Sequence, residues 1–217
     1  MPFRSVPGQA SVAEDAEGGK LFAPAAARNL APLIEVLQAH SPRKGQALEI
    51  ASGTGQHVTG FAGALPGLAW HPSDIDPARR ASIDAYVTEA GLANVARAVA
   101  LDATAPGWGA LIGPFDLIML ANLLHLVSAE ETRVLLAEAR QALAPGGRML
   151  VYGPFRRAGF LVSEGDQSFD AALQTHDPDI GYKDVDTVAT WAASCGLVLS
   201  ARLEMPAHNL TLVFQRT

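Results

Sequence analysis

The stretch Leu48-Glu49-Ile50-Ala51-Ser52-Gly53-Thr54-Gly55 decides how this chain folds. An apolar run over residues 47–51 enters a turn with two glycines, and a helical stretch follows that stops at Pro66-Gly67. Glycines at a strand-to-helix turn let the backbone approach a ligand at a helix N-terminus. Before this unit, Leu30, Leu33, Ile34 and Leu37 recur at helical spacing over residues 29–40, closed by Pro42 and Gly45. After it the pattern repeats: strand 68–71, helix 77–90 closed by Gly91, strand 95–101, strand 115–120, helix 129–143 stopped by Pro145-Gly146-Gly147, and strand 148–152. A long polar and aromatic insertion runs to Asp184, followed by a helix over 185–195. Two last strands, 198–204 and 210–215, are joined by only five residues, too few for a helical crossover, so they must pair antiparallel. The order predicts an α/β fold: a Rossmann-like, seven-stranded, mostly parallel sheet with helices on both faces and a C-terminal antiparallel hairpin.

The chain has 217 residues, 49% hydrophobic and 18% charged, enough for one substantial core. Residues 1–25, rich in Ala, Gly and charge, read as a flexible arm or lid before a single domain over 26–217. A net charge of −6 gives no general positive field for nucleic acid or an anionic membrane surface, so a small-molecule substrate is expected and a nucleic-acid one is not. Cys195 is the only cysteine and the six histidines are scattered, which leaves no disulfide and no zinc-type spacing; no metal site is expected, and a reducing cytoplasm fits. The longest near-apolar stretch, residues 117–127, carries Asn122 and His125 and falls short of a membrane span. Composition does not read on oligomeric state.

The glycine turn by itself is a weak signal. A nicotinamide dinucleotide fingerprint needs Gly or Ala three residues after the second glycine, and Val58 stands there, which disfavours a pyrophosphate cradle. An acid about 20 residues on, at the end of the second strand, is expected to bond ribose hydroxyls. Asp74 lies 19 residues after Gly55. Asp76 competes for that role, and whichever acid does not bind ribose caps the helix that begins at Pro77.

With these residues in place, the chain resembles the class I S-adenosylmethionine (SAM)-dependent methyltransferases over about residues 25–217. In those enzymes an acid precedes a Gly-x-Gly turn, as Glu49 precedes Gly53, Thr54 and Gly55 here. Asp74 matches the ribose acid, Asp102 with Ala103 the adenine edge, and Asn122 to His125 the segment after the fourth strand; the run from Leu143 to Gly147 matches the turn before strand five. The runs Arg28-Asn29, Pro72-Ser73-Asp74, Tyr152-Gly153-Pro154-Phe155 and Met205-Pro206-Ala207-His208-Asn209 are similar to the family called domain of unknown function 938, or methyltransferase-like 26. His208 departs from that pattern, which has another asparagine there. The resemblance implies SAM as cofactor, with Arg28, Asn29, Glu49, Gly53, Thr54, Gly55, Asp74, Asp102, Ala103 and Asn122 on its side of the site, and names no substrate.

The reacting side is read less sharply. His125 follows the strand that ends beside the transferred methyl in this fold, and an imidazole there is either a general base or a half-buried structural side chain. Tyr152 ends the fifth strand, where its hydroxyl either meets the substrate or bonds backbone. Phe155 and Arg156 are candidates for substrate contact, as are His208 and Asn209, because the 205–209 turn is expected at the sheet edge that carries Gly53, Asp74 and Asn122. The helix face with Arg79 and Arg80 is read as solvent. Methyl transfer to a small molecule, a SAM-consuming lyase or cyclase, and a SAM-binding module without chemistry all remain compatible with the sequence.

Overall fold

The computed structural model describes residues 7, 8 and 12–217; the remainder of the predicted arm, residues 1–6 and 9–11, lies outside the described residues. The described N-terminal segment forms a small antiparallel hairpin, β1 (Glu14–Asp15) and β2 (Leu21–Phe22), and helix α1 (Pro24–His40) follows. This helix starts five residues before the periodic stripe does, with Pro24 in its first turn, where a missing N–H costs nothing. Then come β3 (Gly45–Ile50), α2 (Gln56–Ala64), β4 (Leu68–Asp74), α3 (Pro77–Glu89), β5 (Val99–Ala100), β6 (Phe115–Ala121), α4 (Ala129–Ala142) and β7 (Leu143–Gly153). The chain ends with α5 (Glu164–His176), α6 (Val185–Ser194), β8 (Leu197–Glu204) and β9 (Leu210–Arg216).

The seven long-range strands order as β5-β4-β3-β6-β7-β9-β8. Pairs from β5 to β7 are parallel, and β9 runs antiparallel to both β7 and β8. This is the predicted fold class. Alternation along the strands splits the core into two layers. Leu117 and Met119 of β6 face α1, α2 and α3 through Leu33, Leu37, Val58, Phe61 and Ile83, while Ile118 and Leu120 face α4 and α6 through Leu135, Leu136, Val188 and Ala192.

Two expectations fail locally. The strand predicted over residues 95–101 is reduced to two residues plus an isolated bridge between Trp70 and Val95. Between them the Ala98 N–H turns away to donate to Asp84 Oδ1 on α3 at 2.9 Å, so the ladder is interrupted. The insertion after Tyr152 holds a full helix, α5, entered through a capping box: Ser163 Oγ accepts from the Asp166 N–H at 3.1 Å, and Asp166 Oδ2 accepts from the Ser163 N–H at 3.1 Å. Among the described residues no helix is long and apolar enough to cross a membrane.

Candidate active site

β3 ends in a left-handed residue, Ala51 (φ 52°), followed by the turn that opens α2. β6 likewise ends beside Asn122 (φ 56°), whose N–H donates to the Tyr152 carbonyl at 2.8 Å. Ala207, in the turn between β8 and β9, has φ 57°. Non-glycine residues in this region are held against their own preference, and all three line one cavity of about 780 Å3 at the carboxyl edge of the sheet. The edge position is the one a parallel sheet reserves for ligands, and the size suits a cofactor with a small partner.

The two glycines of the turn do different work. Gly53 lines the cavity at φ 60°, and a Cβ there would make only ordinary contacts, the nearest with the end of the Arg79 side chain at 3.7 Å. Gly55 has φ 97°, and a Cβ there would lie 2.7 Å from the Ile83 Cα, so it serves the close approach of α3 to the turn. Asp74 organises the first of them. Its Oδ2 accepts from the Gly53 N–H and its Oδ1 from the Asp76 N–H, each at 2.9 Å, and burial raises its pKa against the pull of these two bonds. Asp76 Oδ1 accepts from the Ala78 N–H at 2.8 Å and so is the helix cap. Asp74→Ala is expected to weaken S-adenosylhomocysteine binding by about tenfold or more, through lost acceptors and a loosened Gly53 amide. Calorimetry giving wild-type affinity would remove Asp74 from the site.

Beneath the turn Glu49 is buried, and burial pushes its carboxyl up to about 8. It does not line the cavity; its carbonyl accepts from Ser52 Oγ and Ser73 Oγ, tying β3 to β4. Its Oε2 has no hydrogen-bond partner among the described residues.

The cavity brings together Arg28, Asn29, Gly53, Thr54, Asn122, His125, Tyr152 and Asn209 of the predicted set. The others lie behind or beside it for identifiable reasons, Asp74 included, which is buried behind the Gly53 turn with each carboxylate oxygen bonded to a backbone N–H. Asp102 closes a local turn, accepting from Thr104 N–H at 2.9 Å and Thr104 Oγ at 2.6 Å, and Ala103 is buried with its carbonyl accepting from Trp108 Nε1. Phe155 packs into the core, and Arg156 is held at 2.5 Å by the buried carboxylate of Asp170 rather than offered to a substrate. His208 stands outside while its carbonyl accepts from Arg157 at 3.0 Å.

The cavity residues outside the predicted set include His57, Arg79, Asp166, Phe169 and Tyr182. Arg79, read as solvent-facing, reaches over the Gly53 turn because its position falls in the first turn of α3, next to that loop. Asp166 and Phe169 arrive on α5, which the Ser163-x-x-Asp166 pattern signals in the sequence. His125 sits against Phe169 and Tyr182, with ring centroids at 5.8 and 6.0 Å, and is 5% exposed. Burial, reinforced by the charge of Lys183, lowers its pKa to about 3, so the ring is neutral at physiological pH. Its Nδ1 is buried with no partner among the described residues. Among those residues no group of three or more His, Cys, Asp or Glu is arranged to hold a metal.

A family model described as "Protein of unknown function (DUF938)" matches residues 20–216. The chain is also similar in structure to an O-methyltransferase family protein from Burkholderia thailandensis, with a TM-score of 0.76 and 18% identity over 89% of this chain and 57% of that one. An O-methyltransferase family 2 protein from Planctomyces limnophilus, solved with apigenin, gives 0.75 and 21% over 88% and 59%. CalO1, a methyltransferase in calicheamicin biosynthesis solved with S-adenosylhomocysteine bound, gives 0.69 and 18% over 89% and 54%. The chain spans a little more than half the length of these proteins, and the likeness is one of fold.

Proposed function

We propose that this chain, which belongs to the DUF938 family, is a SAM-dependent methyltransferase acting on a small molecule. The observation that carries this reading is the Gly53 amide, held by the Asp74 carboxylate in the wall of a cavity at the carboxyl edge of a sheet with the class I methyltransferase order. The residues present suit the cofactor: Gly53 leaves room where a side chain would stand, Asp74 keeps lone pairs for a diol, and Arg28 and Asn29 add polar groups on the wall. When bound, SAM supplies a sulfonium methyl that passes to a nucleophile as the C–S electron pair returns to sulfur.

The protein's own part is alignment and exclusion of water. The rings of Phe169, Tyr182 and His125 make a half-enclosed apolar wall suited to a planar acceptor. His125 is too weak a base to hold a proton near neutral pH and its unpartnered Nδ1 is buried, so its part is to hold the acceptor in place together with the other rings of the wall rather than to take its proton. The leaving proton goes to solvent. His125→Ala is expected to lower turnover about 100-fold with SAM affinity nearly intact, and the wild-type pH profile of kcat is expected to show no histidine limb between about pH 5 and 8. Equal losses of binding and turnover would mark the ring as purely structural. Mass spectrometry of SAM incubated with the protein and a metabolite extract tests the class of chemistry. S-adenosylhomocysteine supports methyl transfer, methylthioadenosine supports a lyase or cyclase, and no turnover with retained SAM binding supports a binding module.

A further inference from the structure

Residues 12–24 run along one wall of the cavity before the chain continues into α1, and Val12, Ala13, Ala23 and Pro24 of this stretch line it. The hairpin inside the stretch has two residues in each strand, and none of residues 12–24 is buried. With no apolar anchor, the stretch belongs to the low-stability end of the molecule, and polar ties fasten it. Lys20 Nζ donates to Glu89 Oε2 on α3 at 2.5 Å and lies 5.2 Å from the centre of the Tyr86 ring. The Leu21 N–H donates to Ser82 Oγ at 2.8 Å, and the Ala23 N–H donates to Gln56 Oε1 at 2.7 Å.

Ser82 and Gln56 also hold the glycine turn. The Ser82 hydroxyl donates to the Thr54 carbonyl at 2.7 Å, and the Thr54 hydroxyl donates to Gln56 Oε1 at 2.9 Å. Backbone groups fix every direction in this pair of relays. Ser82 Oγ accepts from the Leu21 N–H and keeps its own proton for a carbonyl that can only accept. The Ala23 N–H requires an oxygen at the end of Gln56, so the Thr54 hydroxyl must be the donor to it. Thr54 is buried and lines the cavity, and its hydroxyl and carbonyl are thus both tied to side chains that bind residues 21 and 23. Gly55 makes the relay through α3 possible: a Cβ there would lie 2.7 Å from the Ile83 Cα and would push Ser82 away with its neighbour.

We propose that residues 12–24 are a strap that closes over the cofactor, and that Gln56 and Ser82 are positioning residues that join the docking of the strap to the setting of the Gly53-Thr54-Gly55 turn. The proposal rests on the functional reading above. A ligand lying between strap and turn touches both walls only while the strap is docked, so binding favours the docked state and a weakened latch weakens binding. Lys20 and Glu89 stand outside the cavity lining and act on the cofactor only through the strap.

Amide exchange followed by NMR and S-adenosylhomocysteine dissociation followed by stopped flow, both on the full chain, test the coupling. Saturating S-adenosylhomocysteine is expected to slow exchange at the Leu21 and Ala23 amides about tenfold or more. Lys20→Met keeps an apolar stem over Tyr86 and loses the ion pair; it is expected to speed both exchange at these amides and ligand dissociation about threefold, with association unchanged. Gln56→Ala is expected to speed both about tenfold, and Gln56→Glu, which retains an acceptor for both donors, to stay within about twofold of wild type. Exchange at the two amides that does not respond to S-adenosylhomocysteine, or wild-type dissociation from the Lys20→Met variant, overturns the proposal. If the wild-type chain does not bind S-adenosylhomocysteine, the functional reading fails and the latch is judged on the free protein. Faster exchange of the Gly55 amide in Lys20→Met then keeps it, and unchanged exchange overturns it.

Discussion

In a Glu49→Gln variant, lowering the pH from 7 to 5 is expected to remove about 4 kcal/mol of folding stability. The loss comes from two buried histidines. Burial lowers His57 from 6.5 to about 4 and His125 to about 3, so the unfolded chain takes up protons below about pH 6.5 that the folded chain refuses. Their contribution is therefore fully present above the unfolded value and is lost as pH falls from there toward 4 and 3. Each ring costs about 1.4 kcal/mol per pH unit inside that window, hence about 2 kcal/mol at pH 5. Glu49 works in the opposite sense. Its folded pKa is raised from 4.5 to about 8 by burial, so its contribution is present below 4.5 and lost as pH rises toward 8. Acidification restores that part in the wild-type chain, which should lose less than the variant between pH 7 and 5, by about 2 kcal/mol. Urea denaturation of both proteins at pH 5, 6 and 7 measures the difference. A variant whose stability changes by under about 1 kcal/mol would show that the two rings are not neutral in the fold.

Gly55→Ala is expected to lower the melting temperature by about 6–12 °C, corresponding to about 3 kcal/mol for a chain of this size. Two causes add. A side chain at φ 97° costs about 1–2 kcal/mol, and its Cβ would stand 2.7 Å from the Ile83 Cα, so α3 itself would have to move. Gly53→Ala is the internal comparison: it has a similar positive φ, but its nearest neighbour is the end of the Arg79 side chain at 3.7 Å. That variant should melt within about 2–5 °C of wild type and lose affinity for S-adenosylhomocysteine, because its methyl enters the cavity. Equal melting temperatures for the two alanine variants would refute the division of labour between the glycines.

The readable parts of this sequence are those whose physics is local. The αβ order follows from apolar period and from Gly and Pro at the breaks, and the final antiparallel pair follows from a five-residue connection that no crossover helix can span. The partition between Asp74 and Asp76 is similar in kind, since an acid directly before Pro77 is already a helix cap. Where a distant partner decides, the sequence is silent. Asp84 diverts the strand around Ala98, and α5 carries Asp166 and Phe169 to the cavity from an insertion that looks irregular when only its composition is weighed.

The sequence by itself determined the order of strands and helices along the chain and the closing antiparallel pair, because hydrophobic period and turn chemistry are properties of neighbouring residues. Tertiary structure alone decided which side chains face the cavity and in what state. Arg156 is bound to a buried carboxylate, His208 offers only its carbonyl, and His125 and His57 are stripped of water and kept neutral. Burial and pairing depend on residues far apart in the chain, and only the closed fold brings those residues within the few ångströms over which desolvation and hydrogen bonds act.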